Sequence, residues 1–389
     1  MRGKGVKSSH GWGKRITMKI TIERAALLRS LTHVQSVVER RNTIPILSNV
    51  KIEAKDGAIS LNATDMDLDI VETVGAEVAV SGLTTAPAHT LYEIVRKLPD
   101  GAQVELDCTE EPGQLSLRAG RSHFTLACLP TEDFPVMAGG DYAATFSVPV
   151  GELRAMIDST RFAISTEETR YYLNGIYFHA ADANGTPVLR AVATDGHRLA
   201  SMDLPLPAGA EGIPGVIIPR KTVAELRKLI DETGDAVEIS LSETKIKFAF
   251  DDAVLTSKLI DGTFPDYQRV IPSGNDKMLE LDAKTLAQAV DRVSAISSEK
   301  SRAVKLALTD GILTLSAHSP ESGSAEEELE VAFSGEGLEI GFNSRYLLEI
   351  IQQVEGDTAQ FALADGASPT LIRDSADEGA LYVLMPMRV

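Results

Sequence analysis

The chain has 389 residues, of which 43% are hydrophobic and 24% are charged, as in ordinary soluble globular proteins. This length suggests roughly two to four domains. No apolar run approaches the ~18 residues that span a bilayer, which argues against a membrane protein and favours a cytoplasmic one. The net charge of −18 argues against wrapping nucleic acid on a free surface, because such binding needs a basic footprint.

A basic leader at residues 1–17 differs in composition from the rest of the chain. It has five basic residues, no acidic residue and no apolar stretch, which excludes a secretory signal. Met18 begins the first patterned strand. We therefore predict that residues 1–17 are a disordered leader, which comes either from an upstream start codon or from a segment added for expression. The alternative is a basic arm that touches DNA.

Cys108 and Cys128 are the two cysteines of the chain. Neither belongs to a CxxC pair, so the sequence gives little support to a zinc site or a dithiol redox centre, and no metal or cofactor is predicted. So few thiols in a chain of this length are typical of a reducing cytosol.

One strand–helix pattern occurs three times, at offsets of 126 and 133 residues and without internal gaps. Apolar residues at i, i+4 and i+7 predict one buried face on each helix, and the alternation before them predicts a strand. The pattern comprises Ile20, Ile22, Leu27, Leu31, Val34 and Val37, then Phe146, Val148, Leu153, Ile157, Thr160 and Ala163, then Leu279, Leu281, Leu286, Val290, Val293 and Ile296.

A second helix recurs in every copy and carries a glutamate at the matching position, as Glu93, Glu225 and Glu349. Hairpin-like runs lie between the helices, such as Ile46–Ile52 with Ile59–Ala63. Each copy is therefore predicted to read β-α-β-β-β twice, an α+β domain with two helices packed on antiparallel sheets. The predicted domains are 18–139, 140–271 and 272–389. A solenoid is the alternative, but its repeat unit is much shorter than these domains.

The predicted helices carry a positive charge that the chain as a whole lacks. The segments 23–41, 89–98, 151–161, 220–230, 283–292 and 344–353 hold 15 Lys and Arg against 8 Asp and Glu. Helix propensity alone predicts no such bias, because Glu forms helices as readily as Lys. We predict a basic helical face and an acidic sheet face, so that DNA can lie along the helices. The alternative is a solvated helix face without a ligand.

Five motifs give the chain a family resemblance from Met18 to Val389. The motifs are IPILSNV at Ile44–Val50, RYYLNG at Arg170–Gly175, ATDGHRLA at Ala193–Ala200, LIDGTFPDY at Leu259–Tyr267 and MPMRV at Met385–Val389. In this order and at this spacing they resemble the bacterial DNA polymerase III β subunits, the replicative sliding clamps. The resemblance implies three tandem DNA-clamp domains that form half of a six-domain ring.

The same resemblance implies how such a protein works. Two chains would form a head-to-tail homodimer around double-stranded DNA, without sequence preference, and the helices would line the hole. The ring would be a processivity factor without catalytic activity or cofactor. The replicative polymerase, the clamp loader and repair polymerases would bind it through short linear peptides.

The resemblance also implies a peptide groove between the second and third domains. Methionine adapts to different apolar anchors, which suits one groove that serves many partners. The alternative is that the terminal methionines only fill a core. Pro369 stands where a small polar rim residue is expected. The groove residues are Leu173, Thr194, Gly196, His197, Arg198 and Leu199, then Pro265, Arg269 and Val270, then Val383, Met385, Pro386, Met387 and Arg388.

DNA contacts and a ring interface follow from the resemblance in the same way. Glu167 stands where an uncharged amide is expected, which weakens any phosphate contact there. The interface is expected to join a domain-one edge strand with Arg118, Arg121 and Phe124 to a domain-three helix end with Ala295 and Ile296, near the acidic run Glu326–Glu328. The implied DNA contacts are Arg41, Arg96, Arg121, Tyr171, Arg220 and Lys221.

Two other function classes were weighed against the clamp. Asp195-Gly196-His197-Arg198 could form an acid–base cluster, but the sequence contains no HExxH, Walker or GxSxG motif. No nucleophile, base and orienting group can be assembled from the spacing, so we predict that the chain is not an enzyme. A peptide or small-molecule scaffold outside replication is the third class, and it would lack ring closure and DNA loading.

Overall fold

The computed structural model describes residues 17–137, 139–231, 234–297, 302–333 and 335–388. The predicted disordered leader therefore lies outside the described residues, except for Thr17. The described helices and strands follow the predicted repeat. In the first copy they are β1 (Lys19–Glu23), α1 (Arg24–Val37), β2 (Asn49–Lys55), β3 (Ala58–Thr64), β4 (Leu68–Gly75), β5 (Glu77–Val80), β6 (Gly82–Pro87), α2 (Ala88–Lys97), β7 (Gln103–Asp107), β8 (Gln114–Ala119) and β9 (Ser122–Ala127).

The second and third copies have the predicted order of elements, and the first copy has β5 in addition. The second copy contains β10 (Ala144–Pro149), α3 (Val150–Arg161), β11 (Gly175–Ala183), β12 (Thr186–Thr194), β13 (Arg198–Pro205), β14 (Val216–Pro219), α4 (Arg220–Ile230), β15 (Ala236–Leu241), β16 (Lys245–Ala249) and β17 (Ala253–Lys258). The third contains β18 (Lys277–Asp282), α5 (Ala283–Ser294), β19 (Ala303–Thr309), β20 (Ile312–Ser319), β21 (Gly323–Glu330), β22 (Leu338–Asn343), α6 (Ser344–Ile351), β23 (Thr358–Leu363), β24 (Thr370–Asp374) and β25 (Ala380–Leu384).

The first helix is shorter than the predicted span 23–41. Glu23 caps its start by accepting a hydrogen bond from the Ala26 N–H at 3.0 Å. The helix ends at Val37, and the Val38 carbonyl instead hydrogen-bonds the Nε2 of His89 on α2 at 3.0 Å. A tertiary contact with α2 therefore satisfies a carbonyl that the end of α1 leaves without an intrahelical partner. The run predicted as a strand from Ile46 also begins as a 3₁₀ helix, Pro45–Ser48.

The predicted hairpin between β2 and β3 has a two-residue turn. Asp56 and Gly57 both have positive φ, 52° and 77°, which matches the twist that joins antiparallel strands. The apolar helix positions are buried as predicted: Leu27, Leu31 and Val34 on α1, and their counterparts on α3 and α5, lie in the core.

The strands are shared between neighbouring copies, and the chain forms two compact units. One comprises the described part of Met1–Tyr142 with Ala224–Lys258, and the other Ala143–Val223 with the described part of Leu259–Val389. The first holds a sheet in the order β5-β1-β7-β8-β9 and a run β15-β16-β17-β4-β3-β2-β6. The second holds β14-β11-β12-β13-β25-β24-β23-β18 and β21-β20-β19-β22.

Two of these strand pairings connect consecutive copies of the repeat and form two joints. At the first joint, β4 of copy one pairs antiparallel with β17 of copy two. At the second joint, β13 of copy two pairs antiparallel with β25 of copy three. Both joints therefore use the same two elements of the repeat.

Candidate partner groove, DNA-facing residues and edge strands

The ATDGHRL segment forms a tight turn that leads into β13. The Asp195 carboxylate accepts hydrogen bonds from the backbone N–H groups of His197 (2.9 Å) and Arg198 (3.0 Å). Gly196 has φ +87°, and a Cβ there would lie 2.8 Å from an Arg170 nitrogen, so the turn requires glycine. Asp195 therefore stabilises its own turn, which accounts for the motif without acid–base chemistry.

The second joint brings the ATDGHRL turn and the C-terminal motif together. Leu199 lies opposite Val383 on the paired strands β13 and β25. The Met385 N–H then donates to the His197 carbonyl at 3.0 Å. Three predicted groove segments therefore meet at one place, because Leu173 also packs with Leu199 and Val383.

Leu173, Leu199 and Val383 lie beneath the surface rather than on it. They form a buried cluster with Tyr267, Phe264, Val192 and Ile217. The apolar side chains that remain accessible are Val270, which is 46% exposed, and Met385, which is 37% exposed. Val270 ends the 3₁₀ helix Tyr267–Val270, whose first residue belongs to the buried cluster. The site therefore has a buried floor and an exposed apolar rim.

Polar and charged residues surround this apolar rim. Thr194 is half-buried, and its hydroxyl donates to the Arg198 carbonyl at 2.7 Å. Pro265, His197 and Arg269 are exposed, and the Arg269 guanidinium pairs with Asp266 at 2.7 Å.

Met387 and Arg388 lie at a different place from Met385. The Met387 N–H donates to the Gly341 carbonyl at 2.8 Å, next to β22. Both residues line an open cavity of about 960 Å³ beside the β19–β22 sheet, with Lys305 and Glu339. Pro386 connects the two places. Pro369, the position that departs from the family pattern, accepts a hydrogen bond from the Asn275 amide through its carbonyl at 2.9 Å.

Arg198 ties the second copy to the third instead of lining the groove. Its buried guanidinium donates to the Phe162 carbonyl at 2.6 Å and also to Glu349 on α6. It lies over the rings of Phe162, at 5.0 Å, and Tyr346, at 4.4 Å. The sequence indicates Glu349 through its repeated position on the second helix, but it gives no sign that Glu349 pairs with Arg198.

Glu349 is held ionised by two arginines. Burial alone would raise its pKa, but hydrogen bonds from Arg345 and Arg198 outweigh burial and keep the pKa below the ordinary glutamate value of 4.5. Arg345 is exposed and bonds the other oxygen at 2.8 Å. Arg198 is therefore the buried partner and Arg345 the solvated one.

We expect Arg198→Ala to destabilise the second unit by about 3 kcal/mol, because it leaves the Glu349 carboxylate without its buried partner. Arg345→Ala removes the solvated partner of the same carboxylate, and we expect a loss under about 1 kcal/mol. Urea unfolding at neutral pH measures both. The stabilisation is present above the ordinary glutamate pKa and is lost as the pH falls through the lowered pKa of Glu349. Equal losses in the two variants would contradict this assignment.

The implied DNA contacts lie on helix ends and connecting segments. Arg96 is in the last turn of α2 and pairs with Glu93 at 2.8 Å, while Arg220 begins α4. Glu167, where an amide was expected, pairs with Arg170 at 2.8 Å. The others are Arg41 after α1, Arg121 in the β8–β9 turn, Tyr171 in the 3₁₀ helix Glu168–Leu173, and Lys221 in the first turn of α4.

The residues assigned to a domain-one edge strand occupy three different elements. Arg118 is on β8, the next-to-last strand of its sheet, and Arg121 is in the turn that follows. Phe124 is on β9, which is the edge strand, and its ring is exposed. The prediction of one shared edge strand was therefore wrong for both arginines, because the chain turns back at Gly120, where φ is +57°.

The acidic run of copy three lies on an edge strand as well. Glu326, Glu327 and Glu328 are on β21, at the edge of the β21-β20-β19-β22 sheet. Ala295 and Ile296 follow the end of α5, where Ala295 is exposed and Ile296 is half-buried. Arg292 near that end makes a bidentate pair with Glu327, at 2.5 and 3.0 Å.

No group of three or more His, Cys, Asp or Glu side chains in the described part of the chain is arranged to hold a metal ion. No helix within those residues is long and apolar enough to cross a membrane.

Three family models match successive parts of the chain. They describe the N-terminal domain of the DNA polymerase III beta subunit at residues 18–138, its central domain at 147–266 and its C-terminal domain at 268–388. The beta sliding clamp of Caulobacter vibrioides is 57% identical over 372 residues, which cover 96% of this chain and all of that protein. The beta sliding clamp of Escherichia coli K12 is 37% identical over 375 residues, with the same coverage.

Solved structures agree with these matches. A Caulobacter crescentus beta sliding clamp, with polyethylene glycol bound to a putative beta-motif tethering region, has a TM-score of 0.94 at 56% identity and covers 97% of this chain and 100% of that one. A Bartonella birtlesii sliding clamp bound to griselimycin has a TM-score of 0.93 at 52% identity and covers 96% and 100%. With its three tandem clamp domains, the chain belongs to the DNA polymerase III beta subunit family, the beta sliding clamps.

Proposed function

We propose that two copies of this sliding clamp close head to tail into a six-domain ring around duplex DNA. The ring acts in the cytoplasm as a processivity factor that has no catalytic activity and needs no cofactor. It slides along DNA and tethers the replicative polymerase, while the clamp loader and repair polymerases bind through short linear peptides. The observation that carries this proposal is the pair of internal joints. Among the described residues, one strand of each kind that forms these joints remains at a sheet edge without a partner.

The two joints are built in the same way. Each pairs the last strand of the first β-α-β-β-β half of one copy with the last strand of the next copy, as β4 with β17 and β13 with β25. The strand of copy three that corresponds to β4 and β13 is β21, and the strand of copy one that corresponds to β17 and β25 is β9. Both lie at sheet edges. A third joint between β21 of one copy and β9 of a second would complete the pattern and close the ring.

A repeated pair of side chains supports closure at β21. By the offset of the helix pattern, His33 on α1 corresponds to Arg292 on α5. His33 bonds Glu72 of β4 at 2.8 Å, and both side chains are buried at the first joint. Arg292 bonds Glu327 of β21 in the same way, but the Arg292 side chain is 56% exposed. The greater exposure of Arg292 is expected if a partner strand covers β21 only in the dimer.

Charge on the two edges favours the head-to-tail arrangement. β21 carries Glu326, Glu327 and Glu328, whereas the turn that leads into β9 carries Arg121. Opposite charges attract unlike edges, and the glutamates would repel a second β21. Phe124 supplies an exposed apolar side chain on β9, which a partner strand would cover.

The helices carry the charge that a sliding lining requires. Within their observed bounds they hold 13 basic and 6 acidic residues, in a chain of net charge −18. Several of these cations bond a nearby carboxylate, as Arg96 bonds Glu93 and Lys228 bonds Glu225. Such pairing leaves weak net attraction for phosphates, so DNA would be held by topology and would move freely.

The groove is proposed to take an extended peptide with apolar anchors. Val270 and Met385 supply exposed apolar surface above the buried Leu173, Leu199 and Val383. His197, Arg269 and Thr194 supply a polar rim that can fix the orientation of a peptide. Griselimycin, the ligand in the B. birtlesii clamp structure, is proposed to bind the same groove here.

Topological binding has a direct test. After loading by a clamp loader, the protein should stay on nicked circular DNA and leave linear DNA of the same sequence, because only free ends let a closed ring escape. Gel filtration of DNA-bound protein measures retention, and blocking both ends of the linear DNA should restore it. Equal retention on circular and open linear DNA would overturn the ring.

A further inference from the structure

A row of three side chains crosses the sheet of the second unit, on its strands β11, β12 and β13. His179 on β11 lies opposite Arg190 on β12, and Arg190 lies opposite Asp203 on β13. The Arg190 guanidinium makes a bidentate pair with the Asp203 carboxylate, with both hydrogen bonds at 2.6 Å. This pair fixes the guanidinium on the strand beside His179.

Tyr267 places its hydroxyl between His179 and Arg190. The hydroxyl oxygen lies 3.0 Å from Nε2 of His179 and accepts a hydrogen bond from an Arg190 nitrogen at 3.4 Å. Tyr267 is buried and begins the 3₁₀ helix Tyr267–Val270, which ends at the exposed rim residue Val270. The position of Val270 therefore depends on a short helix whose first residue is held by these contacts.

The hydrogen bonds of His179 determine its tautomer. Nδ1 lies 2.9 Å from the Ala180 carbonyl, and a carbonyl can only accept, so Nδ1 carries the proton. Nε2 of the neutral ring therefore accepts the hydrogen of the Tyr267 hydroxyl. Protonation of Nε2 would turn this acceptor into a donor and would place a second positive charge beside Arg190. The Tyr267 hydroxyl hydrogen would then lose its acceptor.

Aromatic packing and burial favour the neutral ring. The His179 ring lies 4.5 Å from the Tyr177 ring, which stacks on Phe264 at 4.9 Å. Burial lowers the pKa of His179 below its ordinary value of 6.5, and the Arg190 charge lowers it further, against the opposing charge of Asp203. The charged and titratable side chains that face His179 are Tyr177, Arg190, Asp203 and Tyr267.

We propose that His179 is a positioning residue for the partner groove, because its neutral ring holds Tyr267 and thereby places Val270 at the groove rim. The inference rests on the proposed groove and assigns a role to residues that lie behind it. Affinity is highest above the pKa of His179 and falls as the pH drops through that pKa. Since such coupling is reciprocal, an occupied groove favours the neutral ring and lowers the pKa of His179.

Substitutions test the hydrogen bond, with griselimycin as the probe. Tyr267→Phe removes the hydroxyl and His179→Leu removes its acceptor, so each should weaken binding by about fivefold in calorimetry at neutral pH. His179→Gln keeps an uncharged acceptor and should bind within about twofold of the parent. His89→Gln is the matched control, since His89 is a half-buried histidine of copy one, which contributes no residue to the groove. Parent affinity in both Tyr267→Phe and His179→Leu would overturn the inference.

Histidine NMR gives a readout that a purely structural role would not change. In protein that carries isotope-labelled histidine, the signal that disappears in His179→Gln belongs to His179 and can be followed through a pH titration. Saturating griselimycin should lower the pKa of His179, because binding favours the neutral ring. An unchanged His179 titration in the saturated protein would overturn the inference and leave the groove in place. If griselimycin does not bind the parent, the proposed groove fails, and the inference fails with it.

Discussion

Ile296→Asp is expected to turn the dimer into a monomer at concentrations where the parent chain is fully dimeric. Ile296 is half-buried after the end of α5, beside the acidic strand β21. Closure of the third joint would cover it, so an aspartate there would be desolvated, and the nearest guanidinium, Arg292, already pairs with Glu327. Such a charge costs about 3–5 kcal/mol, which weakens association by roughly a hundredfold or more.

Sedimentation across a concentration series measures the effect, and Ile312→Asp is the matched control. Ile312 is an exposed isoleucine of the same domain, at the start of β20, which is an inner strand of its sheet and not the edge strand proposed for closure. Ile312→Asp should therefore leave the dimer intact. Both variants should keep the parent's circular dichroism spectrum and unfolding midpoint, which separates lost association from lost folding. A dimeric Ile296→Asp protein at low concentration would remove α5 from the interface.

The loss of the dimer should also remove topological binding. A monomer contributes three of the six proposed domains and cannot enclose DNA. Ile296→Asp should therefore leave circular DNA as readily as linear DNA, and Ile312→Asp should not. If the monomeric variant stayed on circular DNA, the basic helices alone would hold DNA. DNA would then bind to an open protein surface, and the proposed ring would be wrong.

Local features of the fold were predictable because the sequence contains their causes. The i, i+4, i+7 spacing of Leu27, Leu31 and Val34 predicts a buried helix face wherever a core forms. Asp56-Gly57 predicts a two-residue hairpin, because few other residue pairs accept positive φ at both positions. The repeat of these features at fixed offsets predicts the domain type. None of these inferences needs a contact between distant parts of the chain.

Features that depend on distant contacts were not predictable in this way. Helix α1 ends at Val37, and the Val38 carbonyl hydrogen-bonds His89, a partner 51 residues away that the local sequence does not indicate. The strands β17 and β25 were expected, but their pairing with β4 and β13 of the preceding copies depends on tertiary structure. Periodicity gives the faces of a strand and not its neighbours, so Arg118 was assigned to the wrong strand.

The candidate groove shows the same division. The family motifs selected Leu173, Leu199 and Val383, and the structure brings these residues together. The motifs do not predict that these side chains form a buried floor, because their burial depends on packing with Tyr267 and Phe264. Likewise it grouped Met385 with Met387, whereas one backbone N–H bonds His197 and the other bonds Gly341.

Deletion of Met385–Val389 is expected to abolish partner binding while the protein remains a dimer of normal size. Met385 is an exposed apolar anchor of the proposed groove, and the deletion also removes its backbone link to His197. The third joint uses β9, β21 and the α5 end, so the dimer should not depend on this segment. Loss of the dimer would mean that the deletion unfolds domain three, and the groove assignment would fail.

Single substitutions locate the anchor more sharply than the deletion. Loss of a buried apolar anchor costs about 2 kcal/mol, so Met385→Ser should weaken griselimycin binding by roughly thirtyfold in calorimetry. Met387→Ser makes the same chemical change at the cavity beside β22, and should leave affinity within about twofold if the groove ends at Met385. If both substitutions weaken binding equally, the ligand extends past Pro386 into that cavity. If neither does, partners bind elsewhere.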